Sequence, residues 1–238
     1  RGGGAGSLGT VYEIVHTGSG YATHPTTLVS FNAADGSFPQ GGLIADANGD
    51  LFGMTQAGGA NGDGTIFEIA STGSGYATTP TTLVSFNDSD GKSPVSSLIA
   101  DTHGDLFGTT ENGGTSGVGT VFELARTANG YANTPTVLLN FNQADGALPV
   151  GNLTIDARGD LFGTASGGGS NGLGVVFEIA NTAAGYATTP ATLFNFHDAS
   201  GNFPYGGLII DASGDLFGTT QAGGANDDGT VFEIVHTA

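Results

Sequence analysis

The sequence predicts an all-β fold, a β-propeller built from 55-residue four-stranded blades, on three observations. First, GTVFEI or a close variant begins at Gly9, Gly64, Gly119, Gly174 and Gly229, each 55 residues after the last, and the first two copies agree at 35 of 55 positions. Second, two other phrases keep that beat: LVSFN and its relatives at Leu28, Leu83, Leu138 and Leu193, and DxxGDLFG at Asp46, Asp101, Asp156 and Asp211. Third, the 44 glycines punctuate short apolar runs, and no stretch sustains the 3.6-residue apolar spacing of an amphipathic helix. An open or intermolecularly completed β-repeat array is the alternative architecture. A β-solenoid fits less well, because its repeats are usually shorter and parallel whereas Asn-Gly turns favour antiparallel hairpins.

Each period supplies four strands. Leu43–Asp46 is strand a, and Ala47-Asn48-Gly49 is a tight turn of the kind that needs a positive-φ residue; its other copies read His-Gly, Arg-Gly and Ser-Gly. Asp50–Thr55 is strand b, the glycine-rich stretch Ala57–Gly64 leads into strand c at Thr65–Ala70, and a loop, Ser71–Pro80, precedes strand d at Thr82–Phe86. Asn87–Pro94 then carries the chain to the next period. Residues 1–238 thus read as one repeat domain, with periods 9–63, 64–118, 119–173 and 174–228 and a partial repeat at 229–238.

The count leaves strands c and d first, then three sets of four, then a, b and c. A four-bladed ring is expected to close by pairing Leu208–Ile234 with the d strand Thr26–Phe31, leaving one copy of strand c spare for another subunit. The chain opens on Arg1 rather than Met, as expected of a processed or excised piece.

The repeated string GLIxDxxGDLFGTTxxGGxxxxGTVFEI…TLxSFNxxDGxxP resembles the GloVer-type tandem repeat of bacterial surface and secreted proteins, over the whole chain. Its DxxGDLFG core is also similar to the DxxGNLYV phrase of NHL-like propeller blades. The resemblance implies a propeller-like fold in an exported protein and carries no activity with it. The TGSGYATTP insert between strands c and d departs from the usual blade.

Composition excludes several functions. Twenty-two acidic residues against 4 basic ones give a net charge of −18, without the basic footprint that nucleic-acid or anionic-membrane binding needs. No run of eighteen apolar residues is present, so membrane insertion by a helix is not expected. With no cysteine there is neither disulfide nor thiolate metal site. The expected partners are further copies of the chain and, second, glycans; no cofactor is expected.

Candidate residues follow from strand parity. The d–a and b–c loops share one face, whose mouth would be ringed by Asn32, Asp35, Asn87, Asp90, Asn142 and Asp145, groups able to hydrogen-bond sugar hydroxyls. Their commoner role is turn geometry. Glu13, Glu68, Glu123, Glu178 and Glu233 recur in strand c, where a half-buried charge is expected to take a structural bond from glycine-rich loop N–H groups. The Asp46-Ala47-Asn48-Gly49-Asp50 segment imitates the start of a calcium loop, but Arg158 fills its third position in another copy, so no metal is expected there. A GxSxG match at Gly168–Gly172 lies in a loop leading to a strand, not at a strand-to-helix elbow, and no paired carboxylates, HExxH or Ser-His-Asp set occurs. A non-enzymatic, exported structural or adhesion protein that self-associates through incomplete terminal blades is the function expected; a lectin-like propeller is the alternative.

Overall fold

The computed structural model describes residues 2–237, and every regular element among them is a strand. Module 1 consists of β1 (Thr10–Glu13), the short hairpin β2 (His16–Thr17) and β3 (Gly20–Tyr21), and β4 (Thr26–Ser30). Module 2 is β5 (Ile44–Ala45), β6 (Leu51–Thr55), β7 (Thr65–Ile69), hairpin β8 (Ser71–Thr72) and β9 (Gly75–Tyr76), and β10 (Thr81–Ser85). Module 3 repeats this as β11 (Ile99–Ala100), β12 (Leu106–Thr110), β13 (Thr120–Leu124), β14 (Arg126–Thr127), β15 (Gly130–Tyr131) and β16 (Thr136–Asn140). Module 4 is β17 (Thr154–Ile155), β18 (Leu161–Ala165), β19 (Val175–Ile179), β20 (Asn181–Thr182), β21 (Gly185–Tyr186) and β22 (Ala191–Asn195). Module 5 is β23 (Ile209–Ile210), β24 (Leu216–Thr220) and β25 (Thr230–Ile234).

Modules 2, 3 and 4 are four-stranded antiparallel meanders in the sequence order a-b-c-d, as the punctuation predicts. Module 1 is the pair β1-β4, and module 5 the trio β23-β24-β25. The expected ladder between the last strands and β4 is not formed: β4 pairs with β1, and β25 pairs with β24 alone. The reason is chain connectivity. β1 and β25 carry nearly the same sequence, and β1 reaches β4 through a short local loop at far smaller closure cost.

A hairpin that the sequence reading left as loop stands between strands c and d. In module 2 it is closed by Thr72 Oγ1 donating to Gly75 O at 3.0 Å, and the pattern recurs at Thr17, Thr127 and Thr182. Strand d is bulged at its leucine: Thr82 pairs with Phe67 and Val84 with Ile66, leaving Leu83 between them.

The core lies between modules. Val11, Val29 and Phe31 pack on Phe67 and Ile69 of module 2; Phe52, Ile66, Val84 and Phe86 pack on Leu98, Leu106 and Phe122 of module 3. The same contact joins modules 3 and 4, and then 4 and 5. Each sheet therefore has a forward face and a rear face, both apolar. The strand-b glycine makes this stacking possible: a Cβ on Gly53 would lie 2.7 Å from Cζ of Phe67, whose ring covers the glycine's backbone.

Candidate functional site

Strand parity is as the sequence reading has it. The d–a loop of one module docks on the glycine-rich b–c loop of the next, through the Ser37 and Ala57 bridge and Gly59 N–H donating to Ala33 O at 2.9 Å. The loop residues expected to ring the mouth are turned on one another. Asn32 N–H donates to Asp35 Oδ1 at 2.8 Å and its amide to Oδ2, while Asn32 Oδ1 accepts from Ala34 N–H at 2.9 Å. Asn87 with Asp90 and Asn142 with Asp145 repeat the clasp, with backbone bonds of 2.8 and 3.0 Å. Burial raises the pKa of Asp90 above its ordinary value, against the pull of the Asn87 bonds. Beside this clasp lies an open cavity of about 510 Å³, lined by Asn61, Asp63, Asn87, Asp88, Ser89 and Thr115 among others, and its Asp63 is ion-paired to Lys92 at 2.9 Å.

At the opposite edge, the DxxGD phrase ties two turns together. Asp46 Oδ1 accepts from Asn48 N–H at 2.9 Å and Asp50 N–H at 3.0 Å, Gly49 takes φ 83°, and Asp50 Oδ1 accepts from Ser71 N–H at 2.6 Å. The first aspartate closes the a–b turn; the second holds the c–d hairpin. Strand c delivers its glutamate to this edge, away from the glycine-rich loop expected to bond it: Glu68 is the fourth residue of β7 and lies across from Phe52 and Thr81. Burial, then the charges of Asp50 and Asp46, raise the Glu68 pKa; Glu123 and Glu178 are raised in the same way. Tyr186 is pushed up to about 12, by burial first and then by Glu123, Asp101 and Asp105.

Compensating cations differ from copy to copy. Arg158 Nε lies 3.0 Å from both Asp156 and Asp160, and Arg126 reaches Asp46 of the preceding module at 3.5 Å. Asp101, His103 and Asp105 bring one possible ligand atom each within 4.8 Å of the others. Asp101 Oδ2 meets His103 Nδ1 at 3.0 Å and Oδ1 accepts two backbone N–H groups, so the carboxylate is engaged in the turn. The five glutamates stand one per module, each the fourth residue of its strand c.

The sequence profile of the Gloeobacter/Verrucomicrobia repeat matches residues 1–134 and again 127–238, which together cover the whole chain. The chain belongs to the Gloeobacter/Verrucomicrobia repeat family. No curated protein sequence matches it. Among solved structures it is similar to a candidate 6-phosphogluconolactonase from Bacteroides uniformis, with a TM-score of 0.53 at 12% identity over 90% of this chain and 57% of that one. At that identity the likeness bears on the fold alone, and the repeat protein spans little more than half of its neighbour's length.

Among the described residues of this Gloeobacter/Verrucomicrobia repeat protein, no module packs on the outer faces of the two end sheets. Val231 of β25 is 82% exposed, whereas its counterpart Val121 is 0% exposed. Ile209 on the same forward face is 69% exposed, and Tyr12 on the rear face of module 1 is 60% exposed. A cavity of about 850 Å³ opens between modules 4 and 5, lined by Phe162, Leu193, Ile210, Ile234 and His236 among others. Another of about 490 Å³ lies beside module 1, lined by Val11, Tyr12, Leu43, Met54 and Phe67 among others. Sequence reasoning did not locate these two cavities, because spacing along the chain does not encode the gap between neighbouring sheets.

Proposed function

We propose that this protein is a non-catalytic, exported bacterial scaffold or adhesion module, an arc of propeller-type blades that self-associates through its incomplete terminal sheets. The apolar packing of each module on the next carries the reading. Internal faces of the same composition are buried against a neighbour, and contiguous exposed apolar surface marks an interaction site. Against a catalytic role stands the repeat symmetry, since the conspicuous carboxylates recur in every module in the same turn and strand positions. Light scattering on a size-exclusion column tests the reading: mass growing with concentration is expected, and a 23.5 kDa particle at all concentrations would overturn it.

A second reading is a lectin-like module. The polar cavity beside Asn87 and Asp88 favours it, because carboxamide, carboxylate and hydroxyl groups converge there on a space large enough for a sugar ring. Glycan-array binding lost on Asp63→Ala, with mass unchanged, would mark this function.

A further inference from the structure

We infer that the polar cavity where module 2 meets module 3 is a site for a neutral sugar, in which the Asp88 carboxylate accepts hydrogen bonds from two neighbouring hydroxyls of the ring. This rests on the lectin-like reading and names the residues and the sugar class of its site.

The repeat offers an internal comparison, because the four junctions between modules can be set side by side at positions 55 residues apart. The residue just before the first glycine of GTVFEI is Leu8, Asp63, Val118 and Leu173 at the successive junctions. Leu8, Val118 and Leu173 pack on the apolar cluster between their modules. Asp63, with its side chain only 13% exposed, is instead ion-paired to Lys92 at 2.9 Å. Lys92 departs from the series as its partner does, since Ser37, Ala147 and Asn202 hold its position elsewhere. A largely desolvated ion pair contributes no more stability than an apolar contact of similar volume. Its consequence lies in the loop beside it: Asp63 Oδ2 accepts the main-chain N–H of Asp88 at 3.1 Å, where a leucine or valine offers no acceptor. Asp88 O in turn accepts from Gly114 N–H at 2.6 Å. The backbone of Asp88 is thus held on both sides, and Asp63 is a positioning residue for the side chain that projects from it.

The groups that line the space divide in two. Asn87 is engaged within its own turn, its amide on Asp90 and its oxygen on the Ser89 hydroxyl. Three others keep bonding capacity, with no protein partner for the atom concerned among the described residues. They are the Asp88 carboxylate, the Asn61 carboxamide oxygen, whose amide is fixed on Phe86 O at 2.9 Å, and the Thr115 hydroxyl, whose main-chain N–H is fixed on Asn140 Oδ1 at 2.9 Å. Two of these atoms only accept and the third does both, so the matching ligand is rich in O–H donors. A carboxylate presents two oxygens side by side, as adjacent ring hydroxyls require. Asp63 and Asp88 carry two negative charges against the one positive charge of Lys92, which disfavours a uronic or sialic acid and admits a neutral ring. The space, about 510 Å³, lies within the range of small-molecule sites.

Saturation-transfer NMR on the whole chain in EDTA, with galactose, mannose, N-acetylglucosamine and glucuronate as probes, tests the site. Signal from a neutral sugar and none from glucuronate is expected. Asp88 is exposed, so Asp88→Ala leaves the fold intact and is expected to weaken the neutral sugar at least about tenfold. Asp63→Val with Lys92→Ala installs the residues of the module 3–4 junction, where Val118 and Ala147 already pack, and is expected to weaken binding similarly at an unchanged mass. Asp63→Asn, which keeps an oxygen for the Asp88 N–H, should retain binding. A neutral sugar held equally by the unaltered chain and by Asp88→Ala would overturn this site while leaving the lectin-like reading standing. Glucuronate bound as well as galactose would overturn the sugar class. Binding seen with added calcium and absent in EDTA would overturn direct recognition by the carboxylate. No neutral sugar bound at any concentration would overturn both the site and the reading it rests on.

Discussion

Asp105 Oδ1 accepts the main-chain N–H of Arg126 at 2.6 Å, and the equivalent bond recurs from Asp50 to Ser71, Asp160 to Asn181 and Asp215 to His236. Four copies of one bond, spanning twenty-one residues, explain why the second aspartate of DxxGD recurs. Asp105→Ala leaves the Arg126 N–H without its acceptor, and a bond to a charged group contributes about 1.5–3 kcal/mol, toward the lower end at this partly exposed edge. A loss of about 1.5 kcal/mol in urea unfolding is expected, with faster amide exchange confined to 126–131. Asp105→Asn, which keeps an acceptor oxygen, should recover most of it.

Glu68, Glu123 and Glu178 have folded-state pKa values above their ordinary 4.5, burial being the first cause and neighbouring aspartates the next. With the folded pKa raised, the native state holds more protons than the unfolded chain between 4.5 and the raised value. Stability therefore falls as pH rises through that window and stays lower above it. Melting temperature should be higher at pH 5 than at pH 7, and the net charge of −18 acts in the same direction. Glu123→Gln should raise the pH 7 melting temperature and flatten the profile. An unchanged profile would show that the glutamates do not carry the dependence.

A glycine substitution separates close approach from mere flexibility. Gly108 Cα is covered by the Phe122 ring, and an added Cβ would lie 2.7 Å from Cζ. Gly73, at a hairpin tip, has nothing within 4 Å of an added Cβ. Gly108→Ala should cost about 3 kcal/mol through overpacking, and Gly73→Ala less than about 0.5 kcal/mol. Chemical denaturation of the two variants decides it.

Thr110 and Thr120 share a buried hydroxyl bond of 2.8 Å, and Thr120 donates to Asp90 O at 3.3 Å in the preceding loop. Module 4 carries Ala165 and Val175 at these positions, both buried, and its preceding loop is drawn differently, with Gln143 N–H donating to Gly146 O at 3.0 Å. Thr110→Ala or Thr120→Val alone removes the bond between the two hydroxyls and leaves the other its carbonyl acceptor, Asp90 O for Thr120 and Asn112 O for Thr110; each should cost about 1 kcal/mol, and the double variant less than their sum. A double-mutant cycle by urea unfolding reads the coupling.

How far the sequence could be read depended on where the determining contact lies. The Asn48-Gly49 turn was legible because a positive φ confines the residue type, and strand c was legible from five copies of one phrase. The β8–β9 hairpin was not, since two-residue strands carry no periodicity and Tyr76 acts on a neighbouring module. The loop pairs Asn32–Asp35 and Asn87–Asp90 could be singled out by their recurrence, but their mutual clasp follows from side-chain geometry that spacing does not encode. Glu68 illustrates direction: counting along β7 from the glycine loop puts it at the far end, beside the aspartates. Closure was ambiguous because β1 and β25 compete for the same neighbour with nearly one sequence.

Val121 and Val231 occupy the same position of strand c, so any difference between them measures only what covers the forward face. Val121 packs with Leu139 and Phe141 against module 4, where Val175 and Phe177 close over it. Val231 has no module ahead of it among the described residues. Val121→Ala should destabilise the dilute protein by about 2–3 kcal/mol, the transfer and cavity cost of a buried side chain. Val231→Ala should shift it by less than about 0.5 kcal/mol, as exposed substitutions do. If the end faces meet in assembled protein, the second cost grows with concentration, because association adds to apparent stability by mass action. Equal costs for the two valines in dilute solution would mean that the last sheet is covered within a single chain.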